Sequence, residues 1–223
     1  MLEHVWERAS MARYLTKVVI ATDDERIASE ARGFKANVRM TRADHATGTD
    51  RVAEAASADT ADYIVNIQGD EPLIDPSAID AMILSVLGDP EVPMGTLKKR
   101  IEMPDQVANP NVVKVVTDHY QNALYFSRLP IPCVREKADQ RSAAWYKHIG
   151  LYIYRREFLL GYSSLDPGPL ERWERLEQLR ALENGYKIRV VETEYDSLGV
   201  DTPDDLDKVA QLFQMTEQHG GKR

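Results

Sequence analysis

Cysteine is almost missing from this chain: Cys133 is alone among 223 residues. That excludes an internal disulfide. No paired Cys/His spacing exists either, which excludes a zinc site of that type, so Cys133 reads as a buried or partly exposed structural thiol. Long apolar runs are missing too. None approaches the ~20 residues of a membrane-spanning helix, and the amino end has no secretory pattern, so the expectation is a cytoplasmic protein with no membrane partner. Positive charge is in deficit, with 28 Lys and Arg against 36 Asp and Glu and a net charge of -8. A general nucleic-acid surface needs a basic footprint, so nucleic acid is not an expected partner, and only a local basic pocket is allowed. No internal repeat or low-complexity segment breaks the chain. With 43% hydrophobic residues, it is long enough for one large α/β domain over 1–223.

What is present is organised around Tyr63 to Ile74. Its first half is a short apolar run rich in β-branched residues, the pattern of a strand buried on both faces of a parallel sheet. The run stops at Gly69, where a tight turn is permitted. Asp70 and Glu71 follow, and Pro72 ends ladder pairing. Two carboxylates thus stand at the carboxyl end of an expected central strand, the edge at which open α/β sheets bind ligands. Hard oxygen ligands there suit Mg²⁺ held by one or two carboxylates plus phosphate oxygens; a solvated Asp-Glu turn is the competing reading.

Strand and helix patterns alternate around this stretch, which predicts a mostly parallel sheet. Met1 to Met11 reads as a helix with Leu2, Val5, Trp6 and Ala9 on one face, and no strand precedes it. Lys17 to Ala21 reads as a buried strand. Thr22 or Asp23 is the expected cap of a helix that turns Ile27, Ala28 and Ala31 inward and ends near Gly33. Asn37 to Met40 is a short strand. Thr41 to Asp50 is a polar loop into a helix from about Arg51 to Ala58. Gly48 permits close backbone approach there, and the helix start offers free amides. Arg42, His45 and Thr47 can hydrogen-bond a base or sugar. An ordinary capped loop is the alternative, and for His45 alone the structural reading is preferred. Asp75-Pro76 opens a helix burying Ile79, Met82, Ile83 and Val86.

Beyond the strand Met94 to Lys98 the rhythm changes. Val112 to Thr117 and Ala123 to Phe126 read as two strands joined by a turn, an antiparallel excursion spanning roughly 109–165. Arg128 follows, able to grip a carboxylate in bidentate fashion. Glu136 to Ala143 is a charged, mobile loop by composition. Trp145 to Tyr154 alternates strictly. His148, Tyr152 and Tyr154 fall on one face, and Ile149, Leu151 and Ile153 on the other. A single helix is predicted over Leu170 to Leu182, packing through Leu170, Trp173, Leu176 and Leu179, with Glu177 and Gln178 beside that stripe. After a strand at Lys187 to Val191, Thr202, Pro203 and Asp205 form a variant capping box for a last helix to about Gln218, with Val209, Leu212 and Phe213 inward. Asp201 is left without a structural reason and can be a second metal ligand facing Asp70.

Seven stretches, in this order, resemble one family. They are Met40-Thr-Arg-Ala-Asp-His-Ala-Thr-Gly-Thr-Asp-Arg51, Val65-Asn-Ile-Gln-Gly-Asp-Glu-Pro72, Asn109-Pro-Asn-Val-Val-Lys114, Ala123-Leu-Tyr-Phe-Ser-Arg128, His148-Ile-Gly-Leu-Tyr152, Leu176-Glu-Gln-Leu-Arg180 and Gly199-Val-Asp-Thr-Pro203. The family is the 3-deoxy-manno-octulosonate (Kdo) cytidylyltransferases, or CMP-Kdo synthetases. The resemblance implies a Rossmann-like nucleotide-diphospho-sugar transferase fold, its antiparallel excursion serving sugar binding and dimerisation. It implies a homodimer that uses Mg²⁺ to convert CTP and Kdo into CMP-Kdo and pyrophosphate for lipopolysaccharide synthesis. By position, Asp70 and Asp201 bind Mg²⁺ and are the catalytic pair. Arg42, His45, Thr47, Gly48, Thr49 and Gln68 face the nucleotide. Arg128, His148, Tyr152, Glu177 and Gln178 lie around the sugar acid, with Arg128 or His148 offsetting its negative charge. The family pattern begins with a strand and a basic triphosphate-binding loop, and this chain carries neither; roughly thirty residues are missing by analogy with one βα unit. The expectation is weakened triphosphate binding and an exposed sheet edge. A cytidylyltransferase for another acid sugar, of the sialic acid type, and an inactive binding homologue are the alternatives.

Overall fold

The computed structural model describes residues 1–136, 142–200 and 202–220, with side chains as far as Leu212. The central part of the expected mobile loop, residues 137–141, and Asp201 lie outside the described residues, as does the side chain of Phe213. The first helix, α1 (Leu2–Ser10), buries Val5 and Ala9. Strand β1 (Val19–Thr22) pairs in parallel with β2 (Asn37–Met40), and α2 (Glu25–Gly33) connects them. The cap of α2 is Asp24 rather than Thr22 or Asp23. Its carboxylate accepts from the Arg26 amide, and Thr22 Oγ1 accepts from the Asp24 amide. Ala28 and Ala31 are buried as expected, but Ile27 is 43% exposed. Those two alanines, three apart, centre the buried arc; Ile27, about 100° from Ala28, falls off its edge.

α3 (Gly48–Ser57) starts earlier than expected because Thr47 caps it, its hydroxyl accepting from the Asp50 amide at 3.2 Å. β3 (Tyr63–Asn66) leads to α4 (Pro76–Leu87), whose Asp75 cap, Pro76 at the first turn and buried Ile79, Met82, Ile83 and Val86 are as expected. β4 (Met94–Arg100) is followed by the short α5 (Pro104–Ala108) and the hairpin of β5 (Lys114–Thr117) and β6 (Ala123–Ser127). β7 (Tyr146–Arg155) is the longest strand described, and α6 (Arg156–Tyr162) follows it directly. α7 (Pro169–Glu174), α8 (Leu179–Glu183), β8 (Ile188–Glu192) and α9 (Pro203–Gly220) complete the chain.

The sheet is mixed. β7 runs antiparallel to β3, β4 and β5, whereas β4 and β8 pair in parallel. β3, β4 and β8 therefore share one direction, and β7 is inserted against them. This is the expected α/β class with its antiparallel excursion. The six strands β3 to β8 form one sheet, and β1 with β2 forms a second, two-stranded one. β3 is consequently not buried on both faces: Tyr63, Ile64 and Val65 are only half-buried. β3 pairs with β7 on one side, and a cavity opens on the other.

One face of β7 enters a core with Ile74, Ile79, Met82 and Leu97, contributing Ile149, Leu151 and Ile153. The other face enters a second core with Phe126, Leu159, Tyr162 and Ile188, contributing Tyr154 with Tyr152 against it. The alternation read from the sequence holds through an irregularity beside Gly150, where the β4–β7 register shifts between Thr96 and Leu97.

Two expectations fail at the carboxyl side. The single helix over 170–182 is broken: Arg175 takes a left-handed conformation at φ 55°, closing α7 before a turn at 176–178. Trp173 is then 76% exposed instead of packed. Leu212 is exposed as well, while Val209 is buried. Cys133 is exposed rather than buried.

Candidate active site

The amino end of α3, the even-numbered face of β7 and the turn between α7 and α8 meet. Thr47 Oγ1 lies 3.5 Å from Glu177 Oε1. The Thr49 hydroxyl lies close enough to Tyr154 and Glu177 to interact with both. Tyr152 stacks on Tyr154 at 5.9 Å and meets the His148 ring at a tilt of 45°, 5.5 Å away. The break after α7 is what lifts Glu177 and Gln178 off a helix face and places them here. Burial raises the Glu177 carboxyl above its ordinary value, opposed by the Thr49 hydrogen bond and by Arg180. Burial also holds the Tyr152 and Tyr154 phenols protonated, so both are available as O–H donors.

Gln178 is only 4% exposed, and its side-chain amide nitrogen has no hydrogen-bond partner. A buried amide donor left unpaired costs about 1–3 kcal/mol. Such a group is the kind of donor a polar ligand satisfies.

His148 is oriented by Thr96. Thr96 Oγ1 lies within 3.0 Å of the Ile149 carbonyl, 2.8 Å of the Leu151 carbonyl and 3.0 Å of His148 Nε2. A hydroxyl has one proton and carbonyls only accept, so that proton goes to a carbonyl and Nε2–H donates to Oγ1. Nδ1 is then the acceptor nitrogen. Desolvation lowers the His148 pKa to about 3. Desolvation favours the neutral ring, which then offers a hydrogen-bond acceptor at Nδ1.

Arg42, His45 and Arg128 are committed elsewhere. Arg42 faces Asp44 and Glu54, and the buried His45 ring pairs with Glu54 through Nε2. Arg128 donates to the carbonyls of Glu174, Pro110 and Arg175 at 2.6, 3.0 and 3.3 Å, which fastens β6 to the end of α7. Two of its five N–H donors remain for a ligand.

Past β3, Gln68 is exposed and Asp70 half-buried. Asp70 lies against 199–200: the Val200 amide donates to its carbonyl at 3.0 Å, and a Cβ on Gly199 would stand 3.5 Å from Asp70 Oδ2. The next residue is Asp201. The neighbouring Glu71, offered by the sequence as a possible second metal carboxylate or part of a solvated turn, is instead what explains this approach. Its buried carboxylate accepts from Tyr195 Oη at 2.9 Å and Ser197 Oγ at 2.6 Å, tying segment 195–200 to the end of β3. Burial raises its pKa, with Asp70 adding to the effect. No group of three or more His, Cys, Asp or Glu side chains stands ready for a metal among the described residues.

Residues 1–188 match the family model described as Cytidylyltransferase. Over 220 residues the chain is 64% identical to the 3-deoxy-manno-octulosonate cytidylyltransferase of Solibacter usitatus, covering 99% of this chain and 86% of that relative. The chain belongs to the 3-deoxy-manno-octulosonate cytidylyltransferase family. The relative of the same name from Geobacter metallireducens is 53% identical, with 95% of this chain and 86% of the relative covered. A solved structure described as CMP:2-keto-3-deoxy-manno-octonic acid synthetase complexed with CTP superposes with a TM-score of 0.91 at 41% identity, covering 96% of this chain and 88% of that one. Glu71 and Thr96 support the site in roles the sequence did not suggest: it offered Glu71 only as a possible metal carboxylate beside Asp70, and Thr96 not at all. Each acts by holding a neighbour from a distant stretch, and only Glu71's place beside Asp70 gave any signal.

Proposed function

We propose that this chain catalyses the reaction for which its relatives are named, transfer of a cytidylyl group from CTP to 3-deoxy-manno-octulosonate. A hydroxyl oxygen of the sugar forms a bond to the α-phosphorus, the bond from that phosphorus to the pyrophosphate oxygen breaks, and the hydroxyl proton is released. The observation that carries the reading is Asp70. Its half-buried carboxylate stands at the carboxyl end of β3, accepting no hydrogen bond from the described residues, directly against the chain leading into Asp201. A hard, uncompensated carboxylate of this kind fits Mg²⁺, with phosphate and water oxygens completing the shell. Asp70 and Asp201 would hold the ion, which neutralises charge on the triphosphate when bound.

The chain's own residues do the rest by positioning. The first amides of α3 have no carbonyls inside the helix and suit nucleotide oxygens near Thr47, Gly48 and Thr49. Gln178 Nε2, His148 Nδ1 and the Tyr152 phenol form a polar surface for a hydroxyl-rich acid, and the spare N–H groups of Arg128 supply positive charge. The proposal includes a cytoplasmic homodimer. Leu124 on β6, Leu129 just beyond its end and Trp173 on α7 are large, apolar and exposed, and Arg128 locks the end of β6 to α7. Exposed apolar patches of this sort mark protein contacts.

The test is pyrophosphate release from CTP, Mg²⁺ and 3-deoxy-manno-octulosonate. Asp70→Asn is expected to lower kcat/KM by about 10²- to 10³-fold. An unchanged rate in that variant removes Asp70 from the mechanism. Release that prefers N-acetylneuraminate overturns the sugar assignment.

A further inference from the structure

α7 has six residues and α8 five, too few for either to be stable alone. Two side chains of α8 hold them together. The Glu183 carboxylate accepts from the Leu170 and Glu171 amides at 2.9 and 3.0 Å, capping the first turn of α7. The Arg180 guanidinium donates to both oxygens of Glu171, through Nε at 2.9 Å and Nη2 at 2.6 Å. The Arg180–Glu171 pair is nearly out of solvent, with side-chain exposures of 11% and 13%. Replacing a buried ion pair by apolar residues is often neutral or stabilising, so stability alone is a weak reason for this one. Its surroundings supply another. Arg180 also lies over the Tyr162 ring, 5.3 Å from the centroid, and the Tyr162 hydroxyl donates to the Glu177 carbonyl at 2.8 Å. Glu171, Arg180 and Tyr162 thus form one connected frame for the turn that carries Glu177 and Gln178.

We propose that Arg180, clamped by Glu171, is a positioning residue of the sugar subsite: it holds the turn bearing Glu177 and Gln178 and keeps a positive charge near the Glu177 carboxylate. This role rests on the sugar-binding surface proposed above. The groups around Glu177 require such a cation. Burial, Asp50 of α3 and Glu171 of α7 all push its carboxyl toward protonation, and Arg180 opposes them. The nearby Tyr152, Tyr154 and Tyr162 phenols are held neutral by burial and bring no positive charge. An ionised Glu177 accepts hydrogen bonds from sugar hydroxyls through both oxygens, whereas a protonated one gives up part of that capacity. An acid sugar also brings its own negative charge, which an uncompensated carboxylate repels. Lysine is no substitute, because the bidentate grip on Glu171 needs the guanidinium fork.

The experiment compares Arg180→Gln and Arg180→Lys with the unsubstituted chain. Glutamine removes the charge; lysine keeps it and loses the fork. The first readout needs no ligand. It is titration of the Glu177 carboxyl by carbon-13 NMR in glutamate-labelled protein, with the resonance assigned through Glu177→Gln. Arg180→Gln is expected to move this titration to higher pH, and Arg180→Lys to leave it close to that of the unsubstituted chain. The second readout is steady-state pyrophosphate release from CTP, Mg²⁺ and 3-deoxy-manno-octulosonate. Both variants are expected to raise KM for the sugar about tenfold or more while KM for CTP stays within about twofold. The double variant Glu171→Gln with Arg180→Gln removes the carboxylate that the single change strands. It is expected to recover the urea midpoint and still show the raised sugar KM, which a purely structural clamp does not predict. An unmoved Glu177 titration in Arg180→Gln, or a sugar KM that recovers together with stability in the double variant, overturns the proposal. Absence of pyrophosphate release from the unsubstituted chain counts against the transfer reaction instead, and the ligand-free titration then decides the role of Arg180.

Discussion

His148 and Glu71 show how single side chains are set by partners far along the chain. His148 takes its tautomer from Thr96 and its neutrality from burial. With the folded pKa lowered to about 3, the unfolded chain binds a proton that the native state refuses. The stability contributed by this group is therefore present above about pH 6.5 and lost as pH falls toward 3, with a slope of about 1.4 kcal/mol per pH unit. Urea denaturation of the unsubstituted chain and His148→Gln between pH 7 and 4.5 checks this; the variant is expected to lack that share of the acid slope. Glu71 is a different case, since it satisfies two hydroxyls from another segment. Glu71→Ala strands the Tyr195 and Ser197 hydroxyls and is expected to destabilise by about 1–3 kcal/mol. Glu71→Gln keeps a partner for them and is expected to lose less. Faster amide exchange at 195–200 in Glu71→Ala, beyond any change elsewhere, separates local release from general weakening.

At the scale of elements, legibility depended on local chemistry. α4 was readable because the Asp75 cap, Pro76 and the 79–82–83–86 stripe are each set by neighbours no more than four residues apart. The capping box of α9 was readable for the same reason: Thr202 and Asp205 bond reciprocally, with the Asp205 amide donating to Thr202 Oγ1 at 3.3 Å. The break between α7 and α8 was not readable. It falls on Arg175, with neither glycine nor proline to mark it, and the turn is held by Tyr162, whose hydroxyl donates to the Glu177 carbonyl at 2.8 Å. The packing of α4 on the sheet gives a sharp prediction. A Cβ on Gly95 would stand 2.6 Å from Val86 Cγ2 and 2.9 Å from Ile153 Cγ2, both short branched side chains in the core. Gly95→Ala is expected to cost about 1–3 kcal/mol through overpacking, seen as a lower urea midpoint with an unchanged m-value.

At the scale of the molecule, β7 decides the architecture. Its ten residues pair with β3, β4 and β5, so one strand links the edge at β3, the central sheet and the hairpin. The exposed Leu124 and Trp173 lie on the outer side of that assembly. Sedimentation of the unsubstituted chain is expected to give about twice the 25.3 kDa chain mass. The double variant Leu124→Lys with Trp173→Lys is expected to sediment as a monomer with an unchanged far-UV spectrum. A monomeric unsubstituted chain would refute the dimer.

The sequence by itself determined the α/β class, nearly every strand, the two-faced character of β7 and the candidate carboxylates at the end of β3. These follow from periodicity, turn residues and caps, interactions among residues a few positions apart. It also carried the family through ordered motifs. Only the tertiary structure decided that burial favours a neutral His148, that Arg128 serves mainly as a clamp, and that Glu71 holds the 195–200 segment. Each of these depends on desolvation or on partners tens of residues away, and burial and long-range pairing exist only once the chain has closed on itself.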